Sequence, residues 1–267
     1  MTELEERLQL AVAIAREVGD LTMRYFRTTD LVVERKADDS PVTRADKEGE
    51  LLMRERLAAA CPDDAIIGEE HDDKPGTSGY QWYLDPIDGT HSFVHGVPLF
   101  GNMMALEHGD APVAGVLVFP AARELVYAGA GLGAWWATDV VDGSSALDVR
   151  RARVSTTASV QAAAFSTTGL EAYDETGRVD VLARIAASGA TTRAWSDCYG
   201  HLLVATGRAD VMIDAAMNVW DNAPLMPIVT EADGRFTDLD GVATIHGSGA
   251  VSSNGLLHDA ALALLRG

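Results

Sequence analysis

Apolar positions return at helical intervals from the start of the chain: Leu8, Ala11, Val12, Ala15, Val18, Thr22 and Tyr25 stand three or four apart, behind a Thr2/Glu5 pair with capping-box spacing. The pattern predicts an amphipathic first helix. Residues 27–42 break it, and Glu34-Arg35-Lys36-Ala37-Asp38-Asp39-Ser40-Pro41 reads as a charged, solvated loop. Thr43-Arg44-Ala45-Asp46 opens a second helix, which runs to about Ala60 and stops before Pro62. The period then changes to that of strands, first in Ala65-Ile66-Ile67 and, after a polar loop over 71–79, in Tyr80, Trp82 and Leu84. Runs at 103–106, 113–119, 124–128 and 134–136 are separated by Gly, Asp or Pro at hairpin intervals and predict an antiparallel sheet. Beyond a linker composition at Asp142-Gly143-Ser144-Ser145, strands and helices alternate: a strand at 160–165, helices at 179–187 and 199–207, and a strand at 211–213. A helix opening at Asp221 and reaching Thr230 or Glu231 carries Pro224 in its first turn and Pro227, which should bend it. Gly234 and Gly241 punctuate the chain on either side of Arg235-Phe236-Thr237, and a helix over 256–265 completes an α/β chain of two lobes, 1–143 and 144–267.

Charge narrows the partners. The 267 residues carry 21 basic against 40 acidic side chains, a net −19, which argues against nucleic acid or an anionic membrane. Cys61 and Cys198 lie far apart, without metal-ligand spacing, as expected of a reducing compartment. The acidic start and short apolar runs give no targeting or membrane pattern, so a soluble cytoplasmic protein is expected.

The chemistry concentrates in Trp82-Tyr83-Leu84-Asp85-Pro86-Ile87-Asp88-Gly89-Thr90. An apolar strand ends in two carboxylates, and Pro86 keeps Asp85 extended, so both acids are expected to leave the sheet at its rim. Gly89 permits a tight turn that turns its own amide and that of Thr90 toward the same space. Hard oxygen donors beside free amides suit a divalent cation holding a phosphate; the alternative is an Asx-type turn with Asp88 capping a short helix. Gly68-Glu69-Glu70 brings a second acid pair to a strand end. Asp46 and Asp221 are each also explained as helix-starting acids. For a chain this acidic, bound metal would supply the positive charge a phosphate ester needs.

These stretches resemble the inositol monophosphatase-like metal-dependent phosphatases. The resemblance is carried by Gly68-Glu69-Glu70, by Asp85-Pro86-Ile87-Asp88-Gly89-Thr90, and by Trp220-Asp221 followed by Ile228-Val229-Thr230-Glu231-Ala232, in order over the whole length. Asp233 departs from it, standing where the family usually has a second glycine. The resemblance implies a layered αβαβα sandwich, with an antiparallel N-terminal sheet, a mixed C-terminal sheet, the site between two lobes and a homodimeric assembly. It implies two or three Mg2+ ions on Glu69, Asp85, Asp88 and Asp221, with Asp85 bridging and the Ile87 carbonyl as a further ligand. Thr90 and Asp46 would activate a water, with Glu69 counted among the catalytic groups. The Gly89 and Thr90 amides would hold phosphate, and attack would be direct, without a phosphoenzyme. A haloacid-dehalogenase-type phosphatase would need its two acids two residues apart, and a non-catalytic metal-binding protein has no use for Thr90 paired with Asp46.

Within the family, Ala194-Trp195-Ser196-Asp197-Cys198-Tyr199-Gly200 and Met217-Asn218-Val219-Trp220-Asp221 look more like the histidinol-phosphate phosphatases. Asp88, Arg193, Asp197 and Asp214 are the substrate contacts this implies. Asp214 stands where inositol enzymes commonly carry Glu, and Asp197 where they carry a small apolar residue; the alternative role for Asp197 is a helix N-cap. An added acid favours a cationic alcohol, so L-histidinol phosphate is the expected substrate, with inositol 1-phosphate or a broader set of monoesters as the alternative.

Overall fold

The computed structural model describes residues 1–36, 39–140, 148–195 and 197–266. Helix α1 (Glu3–Met23) opens on the Thr2/Glu5 capping box and buries Leu8, Ala11, Ile14, Ala15 and Val18. The charged stretch after it is more ordered than its composition predicts: β1 (Val33–Arg35) and β2 (Pro41–Thr43) pair antiparallel, while Ala37 and Asp38 lie outside the described residues. Helix α2 (Arg44–Ala60) starts on a Thr43/Asp46 capping box.

A seven-stranded sheet follows, in spatial order β3 (Ala65–Gly68), β4 (Tyr80–Asp88), β5 (Gly101–His108), β6 (Ala111–Phe119), β7 (Glu124–Gly129), β8 (Gly133–Thr138) and β9 (Val149–Arg151). It is mixed rather than antiparallel throughout, because β3 runs parallel to β4 and the 71–79 loop carries the crossover. The 142–145 linker falls outside the described residues, apart from which β9, beyond the predicted boundary at 143, still joins this sheet. Strand β4 continues through Pro86, with a register shift between Asp85 and Asp88, so the acids sit on an irregular strand end instead of beyond it. Short helix α3 (Thr90–Val94) leads into β5.

The C-terminal half contains β10 (Ala164–Thr167), α4 (Leu170–Glu175), α5 (Val179–Ala187), β11 (Thr191–Arg193), α6 (Asp197–Ala205), β12 (Val211–Asp214), α7 (Val219–Glu231), β13 (Arg235–Thr237), β14 (Ala250–Ser253) and α8 (His258–Arg266). Its sheet has the order β11-β10-β12-β14-β13, with β10, β11 and β12 parallel and β14 antiparallel to both its neighbours. The strand expected over 160–165 starts only at Ala164, after a 3-10 turn at Val160–Ala162.

Both faces of the first sheet are buried, which is why its strands are apolar without alternation. Met104, Val116 and Val118 face α1 and α2, while Met103, Leu117 and Phe119 face α6 and α7. Phe165, Val211, Ile213 and Val251 of the second sheet pack under α4, α5 and α8. The layers are therefore helix, sheet, helix, sheet, helix, the αβαβα order expected. Helix α7 starts two residues before Asp221, which places Pro224 in its second turn; both prolines are buried inside the helix. Glu231 has a structural role: its two oxygens accept the Gly131 and Gly133 amides of the β7–β8 turn, each at 2.8 Å. Asp233 is left-handed, φ 67°, the conformation a glycine adopts freely.

Candidate active site

The candidate residues converge where β4 ends and helices α2, α6 and α7 begin. Asp85, Asp88 and Asp221 offer carboxylate oxygens that all lie within 4.8 Å of one another. Each is held by a backbone donor that leaves the rest of the carboxylate available. The Ile87 amide donates to Asp85 at 2.9 Å, the Cys198 amide to Asp88 at 2.6 Å, and the Asn218 amide to Asp221 at 2.7 Å. The Asp85 contact is the Asx-type turn that the sequence left open for Asp88. Helix α3 is entered through Gly89 without a side-chain cap.

Gly89 is required twice over. Its φ is +80°, and a Cβ there would lie 2.9 Å from Oδ2 of Asp197 and 3.1 Å from the Leu99 carbonyl. The same measurement places the Asp197 carboxylate directly over the Asp88-Gly89-Thr90 turn. Asp197 itself is left-handed at φ 58°, a conformation that costs a residue with a Cβ roughly 1–2 kcal/mol.

Glu69 stands beside this group: its carboxyl neighbours that of Asp85 and accepts from Lys36 Nζ at 2.7 Å. Lys36 Nζ also reaches Glu70 at 2.7 Å. Sequence reasoning missed Lys36 as a site residue, because nothing local pairs a loop lysine with acids more than thirty positions away. Buried Glu50 was missed too. It accepts the Glu70 amide at 2.7 Å and Arg54 Nε at 2.6 Å, locking the Gly68-Glu69-Glu70 turn onto α2.

Asp46 caps α2 and also faces Thr90. Oδ2 accepts from the Thr43 amide at 2.7 Å and the Thr43 hydroxyl at 2.5 Å, while Oδ1 lies 3.4 Å from the Thr90 hydroxyl. The single Thr90 hydroxyl proton has a second acceptor within reach, the Ile87 carbonyl at 3.0 Å. Asp214, at the end of β12, is 4% exposed and accepts one long bond, 3.4 Å from the Ala216 amide. Among the described residues Arg193 forms no ion pair with the acids of the cluster. It is exposed on edge strand β11, donates to the Thr192 carbonyl at 2.7 Å and lines a separate cavity of about 220 Å³.

The electrostatics call for a cation. Burial, then the neighbouring Glu69, Asp88 and Asp221, drives Asp85 far above the ordinary carboxylate range. Burial and Asp197 push Asp88 up to about 7 against the Cys198 hydrogen bond. Burial and Asp88 raise Asp221, and burial, Asp197 and Asp88 raise Asp214. These acids are destabilised as anions and accept only a few hydrogen bonds. Three crowded hard oxygen donors fit a divalent cation such as magnesium.

The inositol monophosphatase family profile matches residues 3–267. The chain belongs to this family. A histidinol-phosphatase of Chlorobaculum parvum is 42% identical over 92% of this chain and 92% of its own, and one of Mycobacterium tuberculosis is 38% identical over 97% of both. Among solved structures, the Thermotoga maritima IMPase superposes with a TM-score of 0.85 at 29% identity, covering 98% of this chain and 97% of its own. The extragenic suppressor protein suhB of Bartonella henselae gives 0.87 at 27%, covering 98% of both. The family is metal-dependent, and Asp85, Asp88 and Asp221 form its candidate metal site in this chain. Among the described residues no helix is long and apolar enough to cross a membrane.

Proposed function

We propose that the chain is a magnesium-dependent phosphate monoester hydrolase that converts L-histidinol phosphate and water to L-histidinol and phosphate. The observation that carries the substrate is the placing of two additional acids, Asp197 and Asp214, around the trio of Asp85, Asp88 and Asp221. Asp197 lies directly over Gly89; it raises the pKa of both Asp88 and Asp214, and Asp88 raises that of Asp214, which marks the three as neighbours. Relatives at 37–42% identity over nearly their full length carry the histidinol-phosphatase name. Two or three magnesium ions, a homodimer and a cytoplasmic location belong to the same proposal, as does the division of the chain into lobes at 143.

Asp85, Asp88 and Asp221, with Glu69 and the Ile87 carbonyl, would hold the metal. Bound there, it supplies neutralisation of the phosphoryl oxygens and acidification of water. Thr90 and Asp46 handle the proton. The Thr90 hydroxyl takes the hydrogen bond of the attacking water and passes a proton toward Asp46 Oδ1. Burial, opposed by the Thr43 hydrogen bonds, raises Asp46 to about 6, which lets it accept that proton near neutrality. Water adds to phosphorus in line with the ester oxygen, the P–O bond to the alcohol breaks, the leaving alkoxide takes a proton from solvent water, and Asp46 returns the proton it accepted to solvent. The first amides of α3, at Gly89 and Thr90, face the phosphoryl oxygens without an intrahelical acceptor. The organic cation of the product sits against Asp197 and Asp214.

A panel of phosphate monoesters assayed with magnesium tests the reading. Histidinol phosphate should exceed inositol 1-phosphate in kcat/KM by about 100-fold, the reach of a site built around charged contacts. A preference for inositol 1-phosphate would mark the chain as a general or inositol-type phosphatase.

The proton path has its own test. Thr90→Ala and Asp46→Asn should each lower kcat by about two to three orders of magnitude with KM nearly unchanged, and the double variant should be little worse than either single. Asp46→Asn also weakens the α2 cap, costing about 1 kcal/mol in a thermal melt. Multiplicative kinetic losses would show that the two residues act separately.

A further inference from the structure

Helix α6 carries Asp197 and the Cys198 amide into the site, yet it is anchored at a carboxylate that belongs to neither. Glu124, the first residue of β7 in the first sheet, is 7% exposed and accepts hydrogen bonds from three side chains. The Tyr199 hydroxyl donates to Oε1 at 3.0 Å and Trp136 Nε1 to Oε2 at 3.0 Å. Both terminal nitrogens of Arg208 donate to it, at 3.1 and 2.7 Å. Tyr199 is in the first turn of α6 and Arg208 lies just past its last turn, so one carboxylate holds both ends of the helix. The grip is stiffened by stacking: the Arg208 guanidinium lies 4.6 Å from the Trp136 ring, and Tyr199 meets Phe119 edge-on at 5.2 Å. The Glu124 carboxylate thus accepts four hydrogen bonds, three of them from Tyr199 and Arg208 at the two ends of α6.

The need for such an anchor lies at the other side of Tyr199. Asp197 is left-handed, and a residue stays in that conformation only where its surroundings over-determine it. Cys198 must simultaneously place its amide 2.6 Å from Asp88. A helix free to roll would relax both. We propose that Glu124 is a positioning residue for substrate selectivity: by fixing α6 through Tyr199 and Arg208 it holds the Asp197 carboxylate over Gly89, where the cationic end of the substrate binds. This rests on the reading of Asp197 given above and adds a determinant at the start of β7, three strands along the first sheet from β4.

Tyr199→Phe deletes one hydroxyl and Glu124→Gln removes the charge while keeping the shape. Each is compared with the parent, alone and in an Asp197→Ala background, by kinetics at saturating magnesium with histidinol phosphate and p-nitrophenyl phosphate, and by amide hydrogen exchange. In both variants exchange over 197–205 should quicken about threefold or more while that over 101–108 stays fixed. KM for histidinol phosphate should rise about five- to tenfold with kcat within about twofold, p-nitrophenyl phosphate should be unaffected, and neither variant should add to Asp197→Ala. Unchanged exchange over 197–205 in both variants overturns the anchor. Faster exchange with equal KM losses on both esters, or losses that multiply with Asp197→Ala, overturns its link to selectivity. Failure of the Asp197 reading is separately visible, because Asp197→Ala alone would then leave histidinol phosphate untouched while the exchange data still decide the anchor.

Discussion

Asp85→Asn is expected to reduce phosphatase activity by several orders of magnitude while leaving the fold intact. The substitution preserves shape and the hydrogen bond from the Ile87 amide, but removes the charge at the most buried position of the Asp85/Asp88/Asp221 group. Melting curves separate this from unfolding. In the metal-free protein, burial and mutual repulsion raise the pKa of all three acids, Asp88 to about 7. The native chain therefore keeps protons that the unfolded chain releases. The sign follows: the contribution of these three acids to stability is greatest in acid and falls as pH rises from the ordinary carboxylate range through about 7. Magnesium, binding only the native state, should return that stability, so its effect on Tm should grow over the same window. Metal-free Asp85→Asn should melt at or above the parent at pH 8, having lost one repelling charge, and should gain less from magnesium. Equal magnesium stabilisation of parent and variant would remove Asp85 from the ligand set.

The elements legible in the sequence were those whose pattern is set by burial on one or two faces. Helices α1 and α2 carry capping boxes and apolar stripes, and β5 to β8 carry apolar runs bounded by turn residues; all stand where expected. What escaped was short or fixed from a distance. Strand β11 is the three polar residues Thr191–Arg193 at a sheet edge, where pairing with β10 decides the conformation and no side-chain period exists to read. Strand β14, small and polar in Ser252 and Ser253, lies between β12 and β13 for the same reason. The parallel pairing of β3 with β4 left no mark in either strand, since a buried strand looks alike in both directions. At the site, Asp85, Asp88 and Gly89 were legible because their chemistry is local: a strand end, an acid pair and a turn. Lys36, Glu50 and Glu124 were not, because each acts through a partner twenty or more positions away.

Asp197→Ala should weaken histidinol phosphate by roughly 1.5–3 kcal/mol, the worth of a hydrogen bond to a charged group, which is about a 10- to 150-fold rise in KM. The physical basis is the surplus of negative charge around a phosphate site. Asp197 lies over Gly89, and Asp214 is buried at the end of β12 with one long hydrogen bond. Asp197 raises the pKa of Asp88, and Asp88 and Asp197 raise that of Asp214, so these acids repel one another and a cation between them relieves the repulsion. Histidinol phosphate brings an ammonium and an imidazole; inositol 1-phosphate brings hydroxyls alone. Removing Asp197 should therefore lower the preference between the two esters toward parity, leaving polyol phosphates and kcat nearly unchanged. Relief of repulsion on Asp88 should act in the opposite direction on the metal site, so magnesium must be saturating in the parent and the variant when KM is compared. The measurement is a pair of substrate titrations on each protein. Equal losses on histidinol phosphate and inositol 1-phosphate would assign Asp197 to the framework of α6 instead, and the cationic end of the substrate would then have only Asp214 to meet it.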